Sequence, residues 1–88
     1  MKEYYKIIAK LKCPFCIKAK ELLIKNDEQF MFCLLDESPD LLSIQKDEYN
    51  WQTVPIILHY KKTGERSWDS EFIGGYSDLV KKFEKNDD

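Results

Sequence analysis

The chain has 88 residues, 43% of them hydrophobic and 34% charged, with three Gly and three Pro. That length holds one small domain, and the balance excludes collagen-like, Pro-rich and disordered chains. The net charge of −2 is uneven: residues 1–25 carry seven Lys against two Glu, and residues 26–60 one Lys against seven acids. A sequence pI near 5.4 argues against nucleic acid as a partner, because its binders usually carry a basic footprint over the whole domain. The longest apolar run, Phe30 to Leu35, has six residues, where a spanning helix needs roughly eighteen or more. Met1 to Lys6 lacks the apolar stretch of a signal peptide. The expectation is a single domain over 1–88, cytoplasmic, monomeric and without a membrane partner.

In chain order, Glu3 to Lys10 is β-prone through Tyr4, Tyr5, Ile7 and Ile8, and it ends at the turn Lys10-Leu11-Lys12-Cys13-Pro14. Pro14 suits the first position of a helix, where a missing N–H costs nothing. Cys16, Ala19 and Leu23 at i, i+3, i+7, with Leu22 beside them, then predict an amphipathic helix ending near Asn26. Phe30 to Leu35 reads as a second strand. Ser38-Pro39-Asp40 has the order of an N-cap followed by N1 and N2, and Leu41, Leu42, Ile44 and Tyr49 are the expected buried stripe of the second helix. Val54 to Tyr60 predicts a third strand, Lys62 to Glu65 a turn, and Phe72-Ile73 the end of a fourth strand. Gly74-Gly75 breaks the chain. Ser77-Asp78 is the expected cap of a last helix with Leu79, Val80 and Phe83 inward, and 84–88 reads as a frayed polar tail. The order βαβαββα predicts an α/β fold, its first βαβ parallel and its last two strands an antiparallel hairpin.

The three Cys stand at 13, 16 and 33, an odd count that argues against a disulfide scaffold in a chain without an export signal. Cys13 sits where a strand gives way to a helix. Free N–H groups and the dipole at that helix start, with Lys10 and Lys12 on the same turn, favour thiolate over thiol. Such settings bring a cysteine pKa into the range of roughly 3.5–7.5. Cys16 lies about one turn further on and on the inward stripe. Cys13 is therefore the expected attacking sulfur and Cys16 the resolving one. Two blander readings compete: structural zinc on Cys13, Cys16, Cys33 and His59, and cysteines that merely fill a core. The zinc reading requires a strand cysteine and the lone His to converge on the helix start, and redox chemistry is preferred. Cys33 is assigned to the core.

Cys13-Pro14-Phe15-Cys16, Thr53-Val54-Pro55 and Gly74-Gly75-Tyr76-Ser77-Asp78-Leu79, in that order, resemble the C-P-[FY]-C, T-V-P and G-G-x-[ST]-D-[LF] motifs of dithiol glutaredoxins. The resemblance covers nearly the whole chain. It implies a thioredoxin-like fold, a four-stranded mixed sheet flanked by three helices, with glutathione as reductant and co-substrate and no metal. It further implies that Pro55 is cis and that Val54 turns its backbone to the cysteine of glutathione as a short added strand. Gly74 and Gly75 would allow close backbone approach, and the amides of Ser77 and Asp78 would suit the γ-glutamyl carboxylate. Asp78 would accept the ammonium and Lys10 the glycine carboxylate. Phe15, Gln52, Thr53 and Tyr76 complete the implied glutathione site. Each has a plainer role open to it: Ser77 and Asp78 as helix caps, Lys10 as a solvated charge, Thr53 to Pro55 as the start of a strand.

Two departures stand out. Gln52 occupies the place where the family often has an Arg, trading a possible bidentate contact for a neutral one. Ile56 to Ile73 also fills a space that is a short turn in typical members, which predicts a lengthened hairpin around 60–72 with Trp68 as a possible anchor for a partner. The expected activity is glutathione-dependent reduction of protein–glutathione mixed disulfides and protein disulfides. Ribonucleotide reductase is one candidate target, common in the family, although no residue here demands it. The alternatives are a module holding a [2Fe–2S] cluster with glutathione, against which Pro14 speaks, and a redoxin fed by thioredoxin reductase.

Overall fold

The computed structural model describes residues 2–84. It contains β1 (Glu3–Ala9), α1 (Pro14–Lys25), β2 (Phe30–Leu34), α2 (Pro39–Tyr49), β3 (Ile56–Lys62), β4 (Trp68–Gly74) and α3 (Tyr76–Glu84). The strands form one sheet in the order β2-β1-β3-β4. β1 runs parallel to β2 and antiparallel to β3, and β3 and β4 form the hairpin. The fold is the four-stranded mixed sheet with three helices that the resemblance implies. Of the expected frayed tail, Glu84 closes α3 and 85–88 lie outside the described residues.

The period-2 alternation of β1 divides its side chains between two cores. Tyr5, Ile7 and Ala9 join Cys16, Ala19, Leu23, Ile57 and Leu79 under α1 and α3. Ile8 joins Leu42, Ile56 and Leu58 under α2. The stripe Cys16, Ala19, Leu23 is fully buried, as the helical spacing requires. Burying a residue the size of Leu23 contributes roughly 1.5–3 kcal/mol.

The second helix corrects the sequence-based stripe. Its inward positions are Leu42, Gln45, Lys46 and Tyr49, the i, i+3, i+4, i+7 set, whereas Leu41 is 45% exposed and Ile44 58% exposed. Leu41 and Ile44 lie about one residue's rotation off that set, so they cannot share its face. Ser38 is the N-cap but makes no side-chain cap bond, and Asn50 closes the helix in the left-handed region at φ 51°. A second correction concerns α3. It starts at Tyr76, so Ser77 and Asp78 stand inside its first turn, and Asp78 caps the helix by reaching back: its Oδ2 accepts from the Gly75 N–H at 3.0 Å.

The β3–β4 hairpin is paired as far as Lys62 and Trp68. It does not stand free of the sheet, since β1 accompanies β3 to Lys61 and the Lys62 N–H bonds the Lys2 carbonyl. Trp68 packs edge-on against Tyr4, which in turn stacks on Tyr60. Among the described residues, no helix is long and apolar enough to cross a membrane.

Candidate active site

Cys13 is the N-cap residue of α1, in extended backbone geometry, with Pro14 at N1. Its Cα lies 5.2 Å from that of Cys16, and the two sulfurs are joined as a disulfide. The Cys16 N–H donates to the Cys13 sulfur at 3.2 Å, the orphan amide of a helix start turned on a sulfur in place of a hydroxyl. Cys13 retains 8% exposure and Cys16 none, so the asymmetry expected from the helical stripe is present. The Cys13 sulfur also lies 3.8 Å from the Val54 carbonyl oxygen. The Val54–Pro55 bond is cis, as implied.

Next to the dithiol, a groove of about 470 Å³ is lined by Phe15, Trp51, Thr53, Val54, Pro55, Gly75, Tyr76, Ser77 and Asp78. Phe15, 55% exposed, and Tyr76 face each other with ring centroids 6.0 Å apart. The first helical bond of α3 runs from the Leu79 N–H to the Gly75 carbonyl. The amides of Tyr76, Ser77 and Asp78 precede it and have no acceptor within the helix. One wall of the groove thus offers backbone donors and a carboxylate, and the other aromatic surface.

Three residues expected there lie elsewhere. Lys10 lines a separate hollow with Leu35, Asp36, Pro39, Leu42, Ser43 and Lys46. Nearby, the Leu11 N–H donates to the Asp36 carboxylate at 2.8 Å, tying the turn after β1 to the segment before α2. Gln52 is exposed beside Thr53 but is not part of the lining, and Gly74 is buried behind Asp78. Gly74 has φ 118°, and a Cβ there would come within 2.5 Å of Asp78 Oδ2, so its glycine serves the fold of this corner. Sequence reasoning missed Trp51. It packs edge-on against Phe72 and flanks Gly75, where an added Cβ would sit 3.5 Å from its ring. Its indole nitrogen is buried without a hydrogen-bond partner. An aromatic two residues before Thr53-Val54-Pro55 was the available signal.

The zinc alternative needs Cys33 and His59 at the helix start. Cys33 instead is a free, half-buried cysteine on β2, and His59 stacks on Tyr5 with its Nε2 3.4 Å from the Glu3 carboxylate. Among the described residues, no group of three or more His, Cys, Asp or Glu is gathered to hold a metal ion.

A redox pair at the N-terminus of the first helix, the outer sulfur beside a cis-proline strand, defines a thiol–disulfide oxidoreductase with the thioredoxin fold. A family model described as Glutaredoxin matches residues 5–60, more than half of the chain. The chain belongs to the glutaredoxin family. Among solved structures it is similar to glutaredoxin C1 of Populus tremula x tremuloides in its holo form, at 25% identity and TM-score 0.74, covering 97% of this chain and 71% of that one. A dithiolic glutaredoxin of Trypanosoma brucei brucei follows at 23% identity and TM-score 0.72, with 96% and 80% covered. A Plasmodium falciparum thioredoxin shares the fold at 22% identity and TM-score 0.63, with 96% and 70% covered. No curated protein matches the chain.

Proposed function

We propose that this protein is a glutathione-dependent thiol–disulfide oxidoreductase acting, as a monomer in the cytoplasm, on protein–glutathione mixed disulfides and on protein disulfides. The observation that carries the reading is the groove beside Cys13: backbone edge at Val54, free helix amides at Tyr76 to Asp78, and the Asp78 carboxylate, along one wall. Glutathione brings a peptide backbone, two carboxylates and one ammonium, and each has a counterpart there except the second carboxylate. Asp78 spends Oδ2 on the Gly75 amide and keeps Oδ1 for an ammonium. The helix amides suit a carboxylate, by hydrogen bond and by dipole.

In the proposed cycle, the Cys13 thiolate attacks the glutathione sulfur of a mixed disulfide, and the protein sulfur leaves as thiolate. A second glutathione thiolate then attacks the glutathione sulfur on Cys13, which restores the Cys13 thiolate and releases glutathione disulfide. With a protein disulfide, Cys16 displaces the target sulfur from Cys13, and two glutathiones reduce the resulting Cys13–Cys16 bond. The Cys16 amide at 3.2 Å from the Cys13 sulfur stabilises negative charge on it in both routes.

The test is turnover of a small glutathione mixed disulfide with glutathione, glutathione reductase and NADPH. Wild type is expected to turn over, Cys13→Ser to fall to background, and Cys16→Ser to keep activity on this substrate while losing reduction of a protein disulfide. Loss of mixed-disulfide turnover in Cys16→Ser would overturn the roles. A wild type inactive with glutathione but active with thioredoxin reductase and NADPH would overturn the electron donor.

A further inference from the structure

The outer sulfur borders a second hollow besides the groove. Cys13 edges a shallower trough of about 500 Å³ formed with Lys12, Pro14, Ile17, Lys18 and Glu21. Positions 14, 17, 18 and 21 follow the i, i+3, i+4, i+7 rule, so the trough runs along the solvent face of α1, opposite the buried stripe of Cys16, Ala19 and Leu23. Its floor is apolar: Ile17 is 43% exposed and Pro14 is exposed. Its rim is basic, with Lys12 and Lys18 against the single acid Glu21. The Lys18 ammonium lies 5.3 Å from the centre of the Phe15 ring, at the border between the trough and the groove.

We propose that this trough holds the polypeptide flanking the disulfide of a protein substrate, and that it prefers a segment with an apolar side chain followed by carboxylates. The preference follows from complementarity. An apolar side chain removes Pro14 and Ile17 from water, and carboxylates beside it meet Lys12 and Lys18 at a rim where charge acts mainly on encounter rate. Glutathione and a protein chain would then use different sides of one sulfur, which lets the enzyme recognise targets without altering its glutathione site. The step served is the dithiol one. The Cys13 thiolate attacks one sulfur of the target disulfide, and the other leaves as thiolate. Cys16 then attacks the Cys13 sulfur, the target's first sulfur leaves as thiolate, and two electrons have passed from the cysteine pair to the target.

The proposal rests on the dithiol reading of Cys13 and Cys16 but not on glutathione, and the experiment keeps the two apart. The pre-reduced protein, freed of reductant, is mixed anaerobically in single turnover with two peptides bearing an internal disulfide, identical except for Glu or Lys at two positions beside the first cysteine. Both peptides meet the same Cys13, so the ratio of their rate constants cancels thiol reactivity. The acidic peptide is expected to react about 10-fold faster at low ionic strength, with the gap narrowing as salt is added. Lys18→Glu should shrink that ratio and Glu21→Lys should widen it. Equal rates for the two peptides, or a ratio that neither variant moves, would overturn the proposal. An enzyme that ignored glutathione mixed disulfides yet kept the acidic preference would lose the glutathione reading and retain this one.

Discussion

The two faces of the sheet are closed to different degrees, and the chemistry stands on the tighter one. Under α1 and α3, Ile7, Ala9, Cys16, Ala19, Leu23, Ile57 and Leu79 are all fully buried. Under α2, Leu42 is the single buried helix residue, and Phe72, Trp68 and Met31 remain partly open on the strands around it. Residues of the first face cannot shift without moving the cysteine pair, because Cys16 is itself a member of that core. The second face bears no reacting atom and tolerates incomplete cover. Rigid packing is placed where a sulfur must be held within reach of its neighbour, and the looser face supplies groove wall through Trp51 and Val54 but no sulfur.

The strongest way to break this comparison is to cut one leucine from each side. Leu23→Ala should cost about 2–5 kcal/mol in denaturant melts, the range for a cavity in a sealed core. Leu42→Ala, under the less fully covered face, should fall at the low end of that range, about 2 kcal/mol. Equal losses would mean that α2 is packed as tightly as α1. Next in size is Gly74→Ala, at the corner joining β4 to the first turn of α3. The left-handed backbone and the Asp78 carboxylate behind it predict a loss of about 1–3 kcal/mol and a raised KM for the glutathione mixed disulfide. A stable variant with unchanged KM would detach Asp78 from the groove.

The smallest effect concerns the far end of the tighter face. Burial there pushes the Tyr5 phenol up, with Glu28, Glu3 and Glu71 adding to it. Glu28 is itself raised from its ordinary value, first by desolvation and then by Glu3. A carboxyl raised in the folded state stabilises the fold when protonated, and that contribution disappears as pH rises through its folded value. Glu28→Gln should therefore match wild type near pH 3 and melt slightly higher at neutral pH. A lower melting temperature at neutral pH would show that the carboxylate is favourably held.

Much of the site was legible because its signals are local. Pro14 after Cys13 marks a helix start, and the stripe that buries Cys16 leaves Cys13 at the edge. The cis bond at Pro55 was reached through the resemblance, since an isolated Val-Pro does not declare its isomer. The misreadings have equally physical causes. Leu41, Leu42 and Ile44 are apolar neighbours, but helical rotation sends them in different directions, and hydrophobicity alone does not choose which one the sheet receives. Lys10 is the right residue type three places before Cys13, and it lines a hollow with Asp36 and Lys46, contacts that spacing from the cysteine does not encode.

The sequence by itself determined the order of elements, the family and which cysteine is buried, because each rests on periodicity, caps and motifs that are individually only a few residues long. Only the tertiary structure decided what surrounds the dithiol: Trp51 in the groove wall, Asp78 bound to the Gly75 amide, Lys10 along a separate hollow, and a basic trough on α1 bordering Cys13. The residues of the groove and the trough come from three separate stretches of chain. Which of them meet is set by how the strands register and the helices settle on the sheet, a global packing outcome that no local pattern encodes.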